Sequence, residues 1–163
     1  MLMPLEFGAF LNRFPTVELP LTLGEEAHHV FGTENQPLSD EMIEQFIAPL
    51  DGGPQDEFTE YVPCFSFVTE EQLVGLVWWK AELLNYQYVL AVFSEKGEPL
   101  DRQVISYTQV KGAAIRRAVA TIDTDFSILI AEGISDSELY DPESTRTRVL
   151  EIMPNGQIVS GDR

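Results

Sequence analysis

The longest apolar run of the chain predicts the centre of the fold. Two β-prone segments, residues 73–84 and 87–93, flank the pair Asn85 and Tyr86. Because Asn tolerates a positive φ, we expect Asn85 and Tyr86 to be the central residues of a tight hairpin turn. A third apolar segment, residues 103–107, follows after a polar break and extends the hairpin into a meander.

The two faces of this predicted hairpin differ in polarity. Side chains alternate across a strand, and the predicted turn pairs Leu83 with Tyr88 and Trp79 with Val92. One face is then wholly apolar or aromatic, with Trp79, Ala81, Leu83, Tyr88, Leu90 and Val92. A slip of one residue would exchange the two faces, so burial of the apolar face determines the register.

The opposite face of the hairpin carries a candidate contact surface. Lys80 and Glu82 make this face half solvated, and Trp78 lies at one end of it opposite Phe93. An exposed Trp beside a second aromatic ring is typical of a binding surface, so Trp78, Phe93 and Lys80 are the candidate binding residues. The alternative is that a second layer covers this end of the sheet and that Trp78 belongs to the core.

A helical interpretation of the same stretch is also possible. Residues 69–72, Thr-Glu-Glu-Gln, have the form of a capping box. A helix beginning at Glu70 would need a continuous polar stripe, however, and Lys80 would fall nearly opposite Glu71. The strand interpretation fits the distribution of polar residues better.

The clearest helix is predicted over residues 39–47. Ser39 can cap its N-terminus, and Pro49 and the Gly-Gly-Pro sequence at 52–54 end it. Its buried side would be the stripe formed by Met42, Ile43, Phe46 and Ile47.

Further strands are predicted on both sides of the meander. Alternating apolar residues at 17–23 indicate a strand that the neighbouring prolines confine to an edge or a bend, and residues 61–68 predict a strand that enters the core. Two more hairpins follow, one around an acidic turn at 123–125 and one around Asn-Gly at 155–156.

Successive hairpins after one helix, without βαβ alternation, predict a mainly β (α+β) fold. We expect an antiparallel β-meander sandwich or partly open barrel with one N-terminal helix. The length of 163 residues fits a single domain, residues 1–163.

Composition narrows the choice of partners. Asp and Glu number 27 against 10 Lys and Arg, for a formal net charge of −17. This charge repels phosphate backbones and anionic lipid headgroups, so binding to nucleic acid or to a membrane surface is disfavoured and a protein with a basic surface is favoured. No signal peptide is recognisable at the N-terminus, and if Met1 is the native start we expect a cytoplasmic protein.

The residue types that carry chemistry form no recognisable motif. The chain has no Gly-x-Ser-x-Gly elbow, Walker loop, His-Glu-x-x-His or dinucleotide fingerprint. Cys64 lies in an apolar strand, which predicts a buried and inert thiol. His28 and His29 diverge in any regular element, so we interpret them as ordinary surface or half-buried histidines.

Two acidic groups are candidate cation sites. Asp123 and Asp125 have a spacing that can hold calcium, but an apolar strand follows where further ligands would be needed, so we expect a turn whose Asp side chains bond their own backbone. The second group, at residues 136–143, is interpreted as a solvated loop.

These observations favour a non-enzymatic protein-binding or interaction module, without cofactor or metal. The alternative is a small-ligand-binding protein or an enzyme with a pocket at the mouth of the β-sheet. A deep cavity with converging polar groups would favour the alternative.

Overall fold

A computed structural model describes residues 6–24, 27–54, 56–136, 139–140 and 145–161. The helices are α1 (Phe7–Leu11), α2 (Ala27–Glu34), α3 (Asp40–Met42) and α4 (Ala48–Asp51), with a π-helical segment (Ile43–Ile47) joining α3 to α4. The strands are β1 (Leu21–Leu23), β2 (Glu60–Val68), β3 (Val74–Glu82), β4 (Asn85–Phe93), β5 (Pro99–Lys111), β6 (Ala114–Ile122), β7 (Ile128–Asp136), β8 (Leu139–Tyr140), β9 (Arg146–Ile152) and β10 (Ile158–Gly161).

All ten strands belong to one sheet, and every strand pair in it is antiparallel. The order is β10-β9-β7-β6-β5-β4-β3-β2, with β1 paired to β6 and β8 to β7. In the described part of the chain, the outer strands β10 and β2 do not pair with each other, so the sheet is open. The predicted mainly β fold is confirmed, whereas the prediction of a single helix is wrong. In the described ranges, no helix has the length and apolarity that a membrane crossing requires.

The central hairpin is confirmed, but its predicted register is wrong. Trp79 pairs with Tyr88 instead of Val92, and the two turn residues are Leu83 and Leu84. Leu84, not an asparagine, takes the positive φ of this turn, +56°. Since the shift is an even number of positions, the faces are not exchanged, and Trp79 and Tyr88 lie in one buried cluster as expected. Leu83, by contrast, is 88% exposed.

The predicted capping box belongs to a turn and not to a helix. Residues 69–72 connect β2 to β3, and the Thr69 hydroxyl accepts a hydrogen bond from the Leu73 amide at 3.2 Å. Gln72 has a φ of +64°, which a continuing helix does not allow. The strand interpretation of residues 74–82 is therefore correct.

Two clusters of buried apolar side chains lie on opposite sides of β3 and β4. Trp78 and Trp79 are adjacent, so they point to opposite sides of the strand and belong to different clusters. The helix-side cluster joins the sheet to α1 and to the π-helical segment, and includes Phe10, Phe46, Ile47, Leu76, Trp78 and Phe93. The strand-side cluster joins β2–β4 to β1, β6, β7 and β9, and includes Leu23, Phe65, Trp79, Leu90, Ile130 and Leu150.

The predicted helix at 39–47 is confirmed and extends to Asp51. The Ser39 hydroxyl accepts a hydrogen bond from the Met42 amide at 3.2 Å, as expected of a cap. Pro49 does not end the helix, because it lies in the first turn of α4, directly after the π-helical segment, where a missing N–H is tolerated. Gly52, with a φ of +80°, ends it.

The sheet forks at Ser106. β5 pairs with β4 along its length but with β6 only from Tyr107 to Lys111. Beyond that point β1 replaces β5 as the neighbour of β6, with Leu23 opposite Ala120. The Ser106 hydroxyl donates to the Ala118 carbonyl at 2.6 Å and lies 3.3 Å from the Leu23 carbonyl, so it bridges both branches.

The predicted edge strand at 17–23 is shorter than expected. The strand itself is limited to Leu21–Leu23, and among the described strands it pairs with β6 alone, as an edge strand does. Pro20, which has no N–H to donate, directly precedes it.

Candidate functional site

An aromatic pocket lies where α2 meets strands β3 to β6. Its volume is about 390 Å³, within the range of ordinary ligand sites. Its lining residues are His28, Trp79, Tyr86, Tyr88, Ser106, Tyr107, Thr108, Arg117, Ala118 and Val119.

The strand register brings several of these side chains to one side of the sheet, whereas Tyr107 and Ala118, which pair with each other, point to the opposite side. Directly paired residues of antiparallel strands point to the same side, and Tyr86 pairs with Thr108, which pairs with Arg117. Trp79 pairs with Tyr88, two residues from Tyr86 on β4, so it shares that side. The aromatic walls of the pocket thus follow from the hairpin register.

Three rings of the pocket have nearly the same orientation. The His28 ring stacks on Trp79 with centroids 4.1 Å apart and planes 2° from parallel. The Tyr86 ring lies 5.9 Å from Trp79 and 6° from parallel. α2 positions His28 for this contact, and Phe31, one turn further on α2, packs near Phe65. These parallel rings form an aromatic stack (His28, Trp79 and Tyr86) along one wall of the pocket.

The polar groups of the pocket are neutral or cationic. Tyr107 donates a hydrogen bond to Glu132 at 2.5 Å, and the other Glu132 oxygen lies 3.1 Å from Nε of Arg148. Burial, followed by the hydrogen bond to Glu132, raises the pKa of Tyr107, so this phenol stays protonated at neutral pH. The lining residues include no carboxylate, and Arg117 is the only residue among them with a permanent charge.

A buried ion cluster (Asp51, Lys80, Arg102 and Tyr61) lies outside the pocket and joins α4 to the sheet. The Asp51 side chain has no exposed surface and accepts hydrogen bonds from Lys80 Nζ at 2.7 Å and from Arg102 Nη2 at 2.5 Å. Tyr61 Oη lies 3.4 Å from the same carboxylate. Burial, together with the negative charge of Asp51, raises the pKa of Tyr61. The cluster pairs each buried charge, and we interpret it as structural.

The predicted binding residues Trp78, Phe93 and Lys80 are not on the surface. Trp78 and Phe93 are fully buried and Lys80 is 5% exposed. The reason is that α1 and the π-helical segment cover this end of the sheet: the Phe93 ring lies 5.2 Å from that of Phe7. The alternative, that a second layer covers this end of the sheet and Trp78 belongs to the core, is therefore correct, and the burial does not support the binding role predicted for the three residues.

The other candidate residues have the positions that the sequence predicts. Cys64 is a free thiol with no exposed surface, and its burial raises its pKa. The carboxylates of Asp123 and Asp125 accept hydrogen bonds from the amides of Thr124 and Ser127, at 2.7 and 3.0 Å, so the interpretation as a self-bonded turn is confirmed. Most of the acidic group at 136–143 lies outside the described residues.

A pocket at the mouth of the sheet is the alternative that the sequence leaves open, but the residues that line the aromatic pocket were not predicted, although one signal for them exists. Tyr86 and Tyr88 are two positions apart on a strand, opposite Trp79, which puts three aromatic rings on one face in the correct register. His28 gives no such signal, because α2 is short, none of its residues is fully buried, and only Ala27 and Phe31 pack against the strand-side cluster.

Compared with known proteins, the chain matches no family model, no curated protein and no solved structure. In the ranges that the structure describes, no three His, Cys, Asp or Glu side chains are grouped closely enough to hold a metal ion. The function is therefore inferred from the geometry of the pocket.

Proposed function

We propose that this protein is a non-enzymatic binding protein whose aromatic pocket takes a flat, uncharged ring compound. The observation that supports the proposal most directly is the near-parallel orientation of the aromatic stack, His28, Trp79 and Tyr86. A planar ring can join such a stack in an offset arrangement, and each stacked aromatic pair contributes about 0.5–1.5 kcal/mol beyond simple burial.

Charge selects against ionic ligands. A cation would meet the like charge of Arg117 and no carboxylate in the lining, so only the aromatic rings would offset the loss of its hydration. An anion would be repelled by a protein with a net charge of −17. An uncharged ring with hydrogen-bonding groups on its edge avoids both penalties and fits the hydroxyl groups of the pocket.

The lining residues favour binding over catalysis. A serine nucleophile is normally activated by a hydrogen bond to a general base. The Ser106 hydroxyl instead donates to the backbone carbonyl of Ala118 at 2.6 Å. Its proton is therefore used to join β5 to β6 and is not directed at a general base. The thiol of Cys64 is buried elsewhere, with a raised pKa, and is not among the lining residues.

Tryptophan fluorescence tests the proposal. The chain has two Trp residues, so in a Trp78→Phe variant all Trp emission comes from Trp79 in the pocket. We expect saturable quenching by 2-naphthol and much less by its saturated analogue decahydro-2-naphthol. Tyr86→Leu should weaken 2-naphthol binding about 2- to 12-fold, the equivalent of one stacked pair. Phe58→Leu is the matched control, because Phe58 is 78% exposed and outside the pocket.

Equal binding of the flat and the saturated compound, or no binding of either, would contradict the proposal. Because Trp78 is fully buried, its replacement can disturb the fold. Titration calorimetry of the unchanged protein with the same two compounds therefore accompanies the fluorescence experiment and gives an independent answer.

A second candidate function is a cytoplasmic module that binds a protein with a basic surface, without affinity for nucleic acid or membranes. It is supported by the net charge of −17. We expect a lysine-rich peptide to bind and a glutamate-rich peptide of equal length not to bind, with the affinity falling as salt is added. Binding that is independent of salt would contradict this function.

A further inference from the structure

Strands β6, β7 and β9 present an open face that carries no charge in its interior. Val119 pairs with Ala131, and Leu129 pairs with both Thr121 and Val149, so these side chains point to one side of the sheet. We call this surface the neutral face, and define it as Val119, Thr121, Leu129, Ala131, Thr147 and Val149.

The neutral face is exposed. Leu129 is 50% exposed and Val119 39%, and Ala131 and Thr147 are also on the surface. The intervening residues of the same strands, such as Ile130 and Leu150, point the other way into the strand-side cluster. The sheet is thus covered on one side of these strands and open on the other.

Among the residues that the structure describes, the charges nearest the neutral face lie at its two ends. Arg117 precedes Val119 by two residues on β6, and Glu151 follows Val149 by two residues on β9, so both point to the same side. One end of the face is therefore basic and the diagonally opposite end is acidic. A neutral interior is unusual on the surface of a chain with a net charge of −17.

We propose that the neutral face binds a second copy of this chain, in a two-fold symmetric dimer. Two copies with a net charge of −17 repel each other least where their surfaces carry no charge. A two-fold axis in the plane of contact, perpendicular to the line from Arg117 to Glu151, places each Arg117 opposite Glu151 of the second copy. The face is then self-complementary, as a two-fold interface requires.

The size of the surface determines the strength of the dimer. Three strands span about 14 Å, β1 and β10 add only short stretches at the sides, and four rows of side chains span about 20 Å. Each copy therefore offers about 350 Å², and the pair about 700 Å², which is below the size of a standard interface. The dimer is accordingly weak and reversible, and forms as the concentration of the protein is raised.

Sedimentation velocity over a series of concentrations tests this proposal. We expect a shift from monomer to dimer in the unchanged protein and monomer at every concentration for Leu129→Lys, which puts two like charges at the centre of the interface. The matched control is Leu83→Lys, because Leu83 is 88% exposed on the hairpin turn, outside the neutral face. This control should still form dimers.

Charge reversal tests the two-fold arrangement itself. Arg117→Glu and Glu151→Arg should each weaken the dimer, and the double variant, which exchanges the two charges, should restore it. Thr147→Lys, at an exposed position on β9, repeats the central test should Leu129→Lys fail to fold.

Several outcomes would overturn the proposal. If the protein is monomeric at all concentrations, the dimer is excluded. If Leu83→Lys abolishes the dimer and Leu129→Lys does not, the interface lies at the hairpin turn and not at the neutral face. If the variant that carries both Arg117→Glu and Glu151→Arg does not form dimers again, the two-fold arrangement is excluded. None of these outcomes depends on whether the aromatic pocket binds a ring compound.

Discussion

Leu84 has a backbone conformation that its side chain disfavours. Of the residues that the structure describes, it is one of three non-glycine residues with a positive φ, together with Gln72 and Phe126. Each of the three lies in a turn between neighbouring strands. For Phe126 the conformation accompanies a contact, since its ring stacks on Phe67 at 5.5 Å. Leu84 has no such stacking contact, and its side chain is half exposed.

Replacement of Leu84 by Asn should stabilise the protein. Left-handed backbone costs a residue such as Leu about 1–2 kcal/mol, and Asn tolerates it better. After the loss of a half-buried side chain, we expect a net gain of about 0.5 kcal/mol in the free energy of unfolding, measured by urea denaturation. The control is Leu83→Asn at the adjacent position, where φ is not positive and no gain is expected. Equal effects at both positions would contradict the explanation.

The thiol of Cys64 should make stability depend on pH in the alkaline range. Burial raises its pKa in the folded protein above the value in the unfolded chain. The folded state then holds the proton more tightly, so the contribution of this group is fully present below the ordinary thiol pKa and is lost as the pH rises above it. We expect the free energy of unfolding to fall less steeply above about pH 8.5 in Cys64→Ala than in the unchanged protein. If the free energy of unfolding falls with pH equally in both proteins, the thiol has the same pKa in the folded and the unfolded state, which would contradict this prediction.

At the scale of elements, Phe67 and Gly75 hold β2 and β3 together. They are direct partners across the two strands, and a Cβ added to Gly75 would lie 2.3 Å from the Phe67 ring. The ring therefore packs over the glycine backbone. Only a residue without a side chain allows this contact.

Gly75→Ala should accordingly destabilise the fold by about 1–3 kcal/mol, the usual cost of overpacking a core. Thermal unfolding measures the change. Phe67→Leu in the same chain should recover part of the loss, since the smaller side chain frees the space. Gly32→Ala is the control: it lies in α2 with no atom closer than 3.9 Å to the new Cβ, and there alanine should stabilise by about 0.5–1 kcal/mol.

The buried ion cluster connects α4 to the sheet through one carboxylate. In Asp51→Ala the ammonium of Lys80 remains buried without its closest partner, and we expect the free energy of unfolding to fall by about 3–5 kcal/mol. Arg148→Ala, which breaks a partly exposed pair with Glu132, should cost no more than about 1 kcal/mol. Urea denaturation measures both. If Lys80→Met restores stability to Asp51→Ala, the loss is due to the unpaired charge.

The strands could be predicted from the sequence more accurately than their register. Alternation identifies β3 and β4, and the glycines at positions 97 and 156 take the positive φ that turn chemistry requires, +89° and +92°. The register could not be predicted, because it depends on a turn formed by Leu83 and Leu84, and leucine carries no turn signal. α2 could not be predicted either, because its eight residues carry only a short apolar pattern, Ala27, Val30 and Phe31.

At the scale of the whole molecule, the aromatic pocket is a product of the assembled sheet. Its lining comes from α2 and from four strands, so no local pattern in the sequence contains it. Arg117 and Val119 line the pocket, and Val119 also belongs to the neutral face. A second copy bound to that face would therefore lie at the rim of the pocket.

The charge of the whole molecule should make its stability depend on salt. A net charge of −17 destabilises the compact state through repulsion, and added salt screens this repulsion as the Debye length falls from about 30 Å to about 8 Å. We expect the Tm measured by calorimetry to rise with sodium chloride and to rise equally with potassium chloride. A Tm that falls with salt, or that responds to only one cation, would contradict this explanation.

The position of β1 beside β6 has a consequence for how the protein is made. Thr22 is hydrogen-bonded to Thr121, 99 positions further along the chain. During synthesis the N-terminal end of the chain leaves the ribosome first. Leu21 and Leu23 can therefore pair with β6 only after most of the polypeptide has been synthesised. Until then these side chains have no strand to pair with, and completion of the sheet is a late event of biosynthesis.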